Sequence, residues 1–314
     1  MDGWSRMMDG HRINTTAQSV SAPLPTQSKM TPSRWSAQLQ LGLAKTVRGS
    51  RLVKNNHVGP LYVQKPFYVE GDDLPHIYLL HPPGGLVSGD DLSINIELGE
   101  NTRGLFTAPG AGRIYRARPD RALQQQTTQL HLSHGSSLEW LPQECIFYPD
   151  SFGKLKTQVF LPENAEISGF IGWEISCFGL SQSTAPFLRG HIDQGFEIWR
   201  GDIPEFIERQ KFNGDNLLVK FGRAGFQQKT VSGLMVAGPF PIGFAVHNLC
   251  LEQIRDIQSP DSVLFASTQR GRWLVTRYLG GNAEQARKLF TQVWRIIRPN
   301  LLGREVVEPR IWAC

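Results

Sequence analysis

Apolar and polar residues alternate most regularly between residues 35 and 43. The apolar members of this alternation are Trp35, Ala37, Leu39, Leu41 and Leu43. Because successive side chains of a strand point to opposite faces, a period of two predicts a strand with one buried face. The preceding residues 1–32 are rich in Ser, Thr, Gln and Pro and have no such period, so they are predicted to form a poorly ordered tail. A stretch of this length can form one large β domain or two ordinary ones, and we predict a single domain over residues 33–314.

Short apolar or alternating runs recur along the chain, separated by turn residues. They occupy residues 59–68, 77–80, 92–98, 102–107, 127–132, 138–141, 156–161 and 196–200. A basic turn is predicted around Lys45–Lys54. The chain has 31 glycines and 20 prolines without a collagen period, which is typical of short elements joined by tight turns. Strands that follow one another without room for crossover helices favour a mainly β fold, as a sandwich, a barrel or a β-helix.

Two helices are predicted towards the C-terminal side. Asn282 can cap a helix that begins at Ala283, because its side chain can accept a hydrogen bond from the first turn. Apolar residues recur along this segment at helical spacing, and Pro299 is expected to end it, so the helix is predicted over residues 283–298. A shorter helix is predicted around Leu249–Ile257.

A turn rich in glycine and proline has the sequence HPPGGLVSGDDL at residues 81–92. Its prolines hold the backbone extended, while Gly84, Gly85 and Gly89 permit conformations that a side chain would forbid. The segment therefore predicts a sharp turn that delivers Asp90 and Asp91 to the start of a strand. There a carboxylate can face water, a partner protein or a cation, although such turns are also common as purely structural features.

Composition and charge narrow the function classes. The 33 basic and 28 acidic residues give a formal charge of +5. No basic block is long enough to track a phosphate backbone, so nucleic acid is not expected as a partner. The cysteines are widely separated and fit neither a zinc knuckle nor a disulfide framework. No secretory leader and no membrane span are expected, which predicts a cytoplasmic protein.

Common catalytic motifs do not match the sequence. Position 115 is a tyrosine where a dinucleotide-binding loop at Gly110 and Gly112 would need a third glycine. Ser88 lacks the Gly-x-Ser-x-Gly turn of serine hydrolases. His131 and His134 have a spacing that a strand would point to opposite faces. No catalytic residue and no tight metal site are therefore predicted.

Carboxylates among apolar residues are the remaining candidates for chemistry. They are Glu144, Glu174 and Glu208. A buried carboxylate must be paired, protonated or bound to a metal, so one expectation is a salt bridge, such as that of Glu208 with Arg209 or Arg200. Two inward carboxylates could instead act as general acid and base in a β-helix or sandwich enzyme that acts on carbohydrate. The spacing leaves both alternatives open.

Five short blocks of the sequence, taken in order, are similar to the blocks of one known family. They are GPLYVQKPFY at 59–68, HPPGGLVSGDDL at 81–92, TAPGAGRIYRA at 107–117, LEWLPQECIFYP at 138–149 and WRIIRPNLLGREVVEPRIWAC at 294–314. In this order they resemble the urease accessory protein family UreD, also called UreH. The resemblance covers roughly residues 35–314. It implies a mainly β structure, as a right-handed β-helix-like or layered scaffold with a few helices, one of them near the C-terminus.

The resemblance also implies a function that is not enzymatic. Members of the family bind the urease apoprotein and, with a UreF-type helical protein and a UreG-type GTPase, deliver nickel to urease through an internal channel. Nickel would be in transit, with no tightly bound cofactor or metal. Residues carried over as candidates for nickel passage or activation are Asp90, Glu174 and Glu208. The turns that support the site are expected to contain Gly84, Gly85, Gly89 and Gly112.

Overall fold

The computed structural model of this protein describes residues 35–163, 168–180, 185–241 and 245–313. The strands, in chain order, are β1 (Ser36–Thr46), β2 (Gly49–Val58), β3 (Tyr62–Val63), β4 (His76–Leu80), β5 (Asp91–Leu98), β6 (Arg103–Thr107), β7 (Gly112–Ile114), β8 (Gln124–Leu132), β9 (Ser137–Trp140), β10 (Cys145–Phe147), β11 (Phe152–Leu161), β12 (Gly169–Phe178), β13 (His191–Arg200), β14 (Ile203–Asn213), β15 (Val231–Gly238), β16 (Leu264–Arg270) and β17 (Trp273–Gly280). The helices are α1 (Leu217–Phe221), α2 (Ala245–Arg255) and α3 (Ala283–Leu302), and a short 3-10 helix follows at Arg310–Ala313. The predicted tail over residues 1–32 lies outside the described residues, and the single-domain organisation of residues 33–314 stays a prediction.

Two large sheets contain the strands. The seven-stranded sheet has the order β14-β13-β11-β8-β5-β1-β2. The ten-stranded sheet has the main order β16-β17-β15-β12-β9-β6-β4-β3, and β10 and β7 extend it from β12. Between β5 and β13 the chain alternates between the sheets, so neighbouring strands of this part run parallel. The predicted mainly β, layered scaffold with a helix near the C-terminus is confirmed, and its right-handed β-helix form stays a prediction.

The first hydrophobic core joins the inner faces of the two sheets. On the seven-stranded sheet, one row of fully buried side chains runs across four neighbouring strands: Leu41, Ile96, Leu130 and Val159. Burial of each such side chain contributes about 2 kcal/mol to stability. The row contains Leu41 of the alternating segment at the start of the chain, so the strand predicted there is confirmed.

The basic segment predicted as a turn around Lys45–Lys54 is instead mostly a strand. β2 pairs antiparallel with β1, and the turn is confined to the residues between Thr46 and Gly49. This prediction was wrong because β2 lies at the edge of the sheet, where polar residues are tolerated on both faces.

A second core lies between the ten-stranded sheet and the helices α2 and α3. It contains fully buried aromatic side chains from both sides, such as Trp173 of β12 and Phe290 and Trp294 of α3. The predicted start of α3 is confirmed, since Asn282 caps the helix by accepting a hydrogen bond from the Gln285 amide at 3.0 Å.

The predicted end of α3 at residue 298 was wrong. The helix continues through Pro299 to Leu302 and ends at Gly303, which adopts a left-handed conformation with φ 61°. A proline in the last turn removes only one intrahelical donor. The preceding residue, Arg298, is held in place by buried hydrogen bonds to Glu139 and Glu70, so the last turn stays packed against the sheet.

Candidate functional site

Two cavities lie among the strands that line the first core. The first has a volume of about 410 Å³ and is lined by the glycine-rich turn, the segment after β6 and residues of β10, β11 and β12. The second has a volume of about 530 Å³ and is lined by β13, β14, the segment after α1, and strands β15 to β17. Three residues line both cavities: Glu174, Ser176 and Gln194. The cavities therefore adjoin at these side chains.

We call Thr157, Glu174, Ser176 and Gln194 the neck. Alternation along β12 places Glu174 and Ser176 on the face opposite Trp173, which belongs to the second core. Thr157 of β11 donates a hydrogen bond to Glu174 Oε1 at 2.5 Å, and Gln194 of β13 donates to Ser176 Oγ at 2.8 Å. Both bonds cross from the seven-stranded sheet to the ten-stranded sheet, so the neck consists of polar side chains from both.

Burial controls the charge of the neck. It raises the pKa of the Glu174 carboxyl from 4.5 to about 7, and the hydrogen bond from Thr157 opposes this rise only in part. Within the residues that the structure describes, no basic side chain forms an ion pair with Glu174. The carboxyl can therefore exchange its proton near neutral pH, and its charged form has no fixed counter-charge.

Cys145 adds a thiol to the wall of the first cavity. It lies at the start of β10, where its backbone is the register partner of Ser176. Burial raises the pKa of the Cys145 thiol well above its ordinary range, and the carboxylates of Glu174 and Glu144 act in the same direction. The group is thus a neutral thiol, which is a poor metal ligand because the thiolate is the form that binds. Glu144 lines the same cavity.

Glu208 lies in the second cavity and has a partner other than the two predicted. It forms an ion pair with Arg277 of β17, with Arg277 Nη2 at 2.6 Å from Glu208 Oε2. The expected salt bridge with Arg209 or Arg200 was wrong, because these residues contact Glu197 and Glu205 respectively.

The carbohydrate-enzyme alternative required two inward carboxylates that act as a pair. The two carboxylates have separate partners. Glu174 accepts a hydrogen bond from Thr157, and Glu208 forms an ion pair with Arg277. A general acid and base of the expected kind is therefore not assembled by these two residues.

Asp90 lies outside the linings of both cavities. Its side chain is 4% exposed, and its Oδ2 accepts a hydrogen bond from the Val87 amide at 2.8 Å. The Asp90 amide in turn donates to the Val87 carbonyl at 3.0 Å. The carboxylate therefore closes the turn that leads into β5, and it also lies close enough to His81 of the first cavity to oppose the lowering of that residue's pKa.

The four predicted glycines occupy different places. Gly84, Gly85 and Gly112 line the first cavity, whereas Gly89 does not. Gly84 and Gly89 have positive φ values of 74° and 91°, which favour glycine. Gly85 is required for a close approach, because a Cβ there would lie 2.6 Å from the Arg113 carbonyl oxygen. The glycine-rich turn therefore forms part of the wall of the first cavity.

Several residues of the site were missed by the sequence reasoning: Thr157, Ser176, Gln194 and Arg277. Each is an ordinary polar residue on a strand, and its position at the site depends on the pairing of strands distant in sequence. Alternation within β11 and β13 could have indicated Thr157 and Gln194, because each lies on the same buried face as apolar residues of its strand. Ser176 on β12 and Arg277 on β17 carry no such signal.

Metal clusters and membrane-crossing helices are both absent from the described part of the chain. No three side chains among its His, Cys, Asp and Glu residues converge to hold a metal ion. None of its helices has the length and apolar character needed to cross a bilayer.

Comparison with known proteins identifies relatives along nearly the whole chain. The family model described as "UreD urease accessory protein" matches residues 36–313. The "Urease accessory protein UreD" of Marinomonas sp. (strain MWYL1) is 44% identical over 98% of this chain and 100% of its own length. The protein of the same name from Pseudoalteromonas translucida is 39% identical over 88% of this chain and 91% of its own length. The one from Hahella chejuensis is 37% identical over 92% of this chain and 94% of its own length.

These relatives are named as accessory proteins and not as enzymes, in agreement with the predicted non-enzymatic role. The match covers the glycine-rich turn, the neck and helix α3, and it extends over all five blocks on which the resemblance was based. The chain belongs to the UreD family of urease accessory proteins.

Proposed function

We propose that this protein acts in urease maturation by passing nickel ions to the urease apoprotein through the two adjoining cavities. The observation that supports this most directly is the neck, where the cavities share Glu174, Ser176 and Gln194. A passage between two sheets needs such a shared wall. The family accounts for the target, because its members are accessory proteins of urease.

The chemistry of the walls suits a divalent cation in transit. Nickel accepts oxygen and imidazole ligands, and the first cavity presents His81 and Glu144 along its lining. Burial lowers the pKa of His81, which keeps its imidazole neutral and able to bind a cation. At the neck, the carboxylate of Glu174 is the one acidic group, among the described residues, that the two cavities share. A conduit must hold each ion weakly enough to release it, and single carboxylates bind divalent ions weakly.

At the neck, the carboxyl proton of Glu174 can be exchanged for a cation. Because burial raises the pKa of this carboxyl to about 7, an arriving cation can displace the proton and be displaced by it in turn. The neck then returns to a neutral state, with Thr157 donating its hydrogen bond to Glu174. Release of one proton for each divalent ion limits the rise in net charge at the neck to one unit while the ion is bound.

The partners in this proposal are the urease apoprotein, a UreF-type helical protein and a UreG-type GTPase, acting together in the cytoplasm. The protein itself has no resident cofactor in this proposal, and nickel is its cargo. A surface for protein contacts is available beside the second cavity, where the short helix α1 exposes Leu217, Leu218 and Phe221 by 64%, 85% and 49%. Exposed apolar groups of this kind are typical of subunits in a complex.

Closing the neck tests the proposal. Ser176→Leu places a branched apolar side chain at the junction, and Ser267→Leu is the matched control, because Ser267 lies on β16 of the same sheet but lines neither cavity. Urease would be co-expressed with its accessory proteins and each variant, and its nickel content and activity measured. We expect Ser176→Leu to lower both severalfold while the variant still co-purifies with its partners, and Ser267→Leu to retain both. Full nickel loading with Ser176→Leu would refute the passage.

A further inference from the structure

Two contacts between the facing sheets lie in one row of paired residues, which runs across the strands of each sheet. On the ten-stranded sheet, Glu174 of β12 is the register partner of Leu234, which is the partner of Arg277 on β17. On the seven-stranded sheet, Thr157 of β11 is the partner of Phe196, which is the partner of Glu208 on β14. Thr157 is hydrogen-bonded to Glu174 at one end of the row, and Arg277 forms an ion pair with Glu208 at the other end.

The distance between these contacts follows from strand spacing. Neighbouring strands lie about 4.8 Å apart, so two steps across a sheet separate the neck from the ion pair by about 10 Å. The intervening side chains, Phe196 and Leu234, are apolar and line the second cavity. Along this row, the next charged groups that an ion would meet after the neck are therefore Glu208 and Arg277.

The ion pair lies where the second cavity meets solvent. The side chains of Arg277 and Glu208 are 49% and 36% exposed, in contrast to the fully buried apolar rows deeper between the sheets. An exposed ion pair adds little to stability and can open without disturbing the fold. Arg277 can therefore leave Glu208 for water, and the carboxylate then becomes available to another cation.

We propose that Arg277 is a charge gate of the second cavity, which occupies Glu208 until a divalent cation competes for the carboxylate. This inference rests on the proposed function. With the gate closed, the positive guanidinium opposes a passing cation. With the gate open, Glu208 offers an oxygen ligand at the solvent side of the cavity. Arg277 thus determines how readily a cation passes, and Glu208 supplies the attraction.

The two members of the pair should have opposite effects. Arg277→Gln removes the positive charge and leaves Glu208 available, so nickel loading of urease should become faster. Glu208→Gln removes the ligand and leaves the guanidinium without its counter-charge, so loading should become slower. A purely structural ion pair predicts something else, because either substitution breaks the same contact and the two effects would share one direction.

The experiment measures the initial rate at which nickel enters urease, in cells that co-express urease, its accessory proteins and one variant of this chain, at limiting nickel concentration. We expect Arg277→Gln to raise the rate and Glu208→Gln to lower it, each by roughly threefold or more, as charges at the edge of a binding surface do for association rates. Arg277→Lys keeps the charge and should restore the wild-type rate. Arg295→Gln is the matched control, since Arg295 of α3 forms a similarly exposed ion pair with Glu308, outside the linings of both cavities.

Any other pattern overturns the gate, including equal effects, effects of the same sign or no effect. Ser176→Leu, included in the same series, separates the two proposals. If it lowers loading while the Arg277 and Glu208 variants change together or not at all, the passage stands and the gate is wrong. If it leaves loading unchanged, the passage is wrong and the gate falls with it.

Discussion

The guanidinium of Arg298 and the carboxylate of Glu139 form an ion pair inside the second core, with Nη2 and Oε1 3.1 Å apart and the two side chains 0% and 1% exposed. Arg298 belongs to α3 and Glu139 to β9. Trp294, one turn earlier on the same helix, also donates to Glu139, at 2.6 Å. The helix and the ten-stranded sheet are therefore joined by charge as well as by apolar packing.

Removal of Glu139 should strongly destabilise the protein. Glu139→Ala leaves the Trp294 indole without its acceptor and Arg298 with Glu70 as its remaining carboxylate, and buried hydrogen bonds to a charged group contribute about 1.5–3 kcal/mol each. Urea denaturation would measure the free energy of unfolding. Lys288→Ala is the control on the same helix, because it removes an exposed ion pair with Glu284 and should leave this free energy nearly unchanged. Similar losses in the two variants would contradict a special role for the buried pair.

The raised pKa of Glu174 predicts a pH-dependent stability. Below pH 4.5 the carboxyl is protonated in both the folded and the unfolded chain, so it has no effect. Between pH 4.5 and about 7 the unfolded chain ionises first, so stability falls as the pH rises, by up to about 3 kcal/mol in total. Glu174→Gln removes this loss. The variant should match the wild type near pH 4.5 and be more stable at pH 8, as measured by denaturation at the two pH values. A constant difference between them would show that the carboxyl is not perturbed by folding.

The close approach at Gly85 predicts a steric effect. An added Cβ would meet the Arg113 carbonyl oxygen at 2.6 Å and Tyr115 Cε2 at 2.7 Å, so Gly85→Ala should lower the free energy of unfolding by about 2–3 kcal/mol. Gly110 lines the same cavity, yet a Cβ added there would have no described atom within 4 Å beyond its chain neighbours. Gly110→Ala should therefore be nearly neutral. Equal melting temperatures of the two variants would count against the close packing at Gly85.

The closed turn at Asp90 predicts a contrast between two substitutions. Asp90→Ala removes the acceptor for the Val87 amide and should lower the free energy of unfolding by about 1–2 kcal/mol. Asp90→Asn keeps an oxygen acceptor and should retain most of this stability. Nickel loading should follow stability in both variants, because Asp90 lines neither cavity. A large loss of loading in a fully stable Asp90→Asn protein would instead assign the charge itself to nickel passage.

Local patterns predicted the parts of the fold in which one face of a strand is buried. The alternation that includes Leu39 and Leu41 identified β1 because that strand has one apolar face and one polar face. The same reasoning failed for β12, which is buried on both faces and therefore reads as an apolar run without a period. It also failed for β2, an edge strand on which most residues are exposed and Leu52 is the apolar residue that packs against the first core.

The site was predictable only where a residue stood out from its neighbours. Glu174 and Glu208 were found because a carboxylate among apolar residues needs a partner. The partners themselves, Thr157 and Arg277, were not found, because contact between facing sheets depends on the register of strands that are distant in sequence. Asp90 was noted for its turn, and its carboxylate accepts a hydrogen bond within that turn. Its role in nickel passage stays a prediction.

The position of Arg298 near the end of the chain has a consequence for biosynthesis. Glu70 and Glu139 are made early, yet Arg298 lies 228 and 159 residues further along the chain. Until the ribosome has released that last helix, both carboxylates lack the guanidinium of Arg298 and the outer face of the ten-stranded sheet lacks its cover. The nascent chain must therefore wait in an incompletely folded, aggregation-prone form, and early contact with a partner or chaperone would protect it.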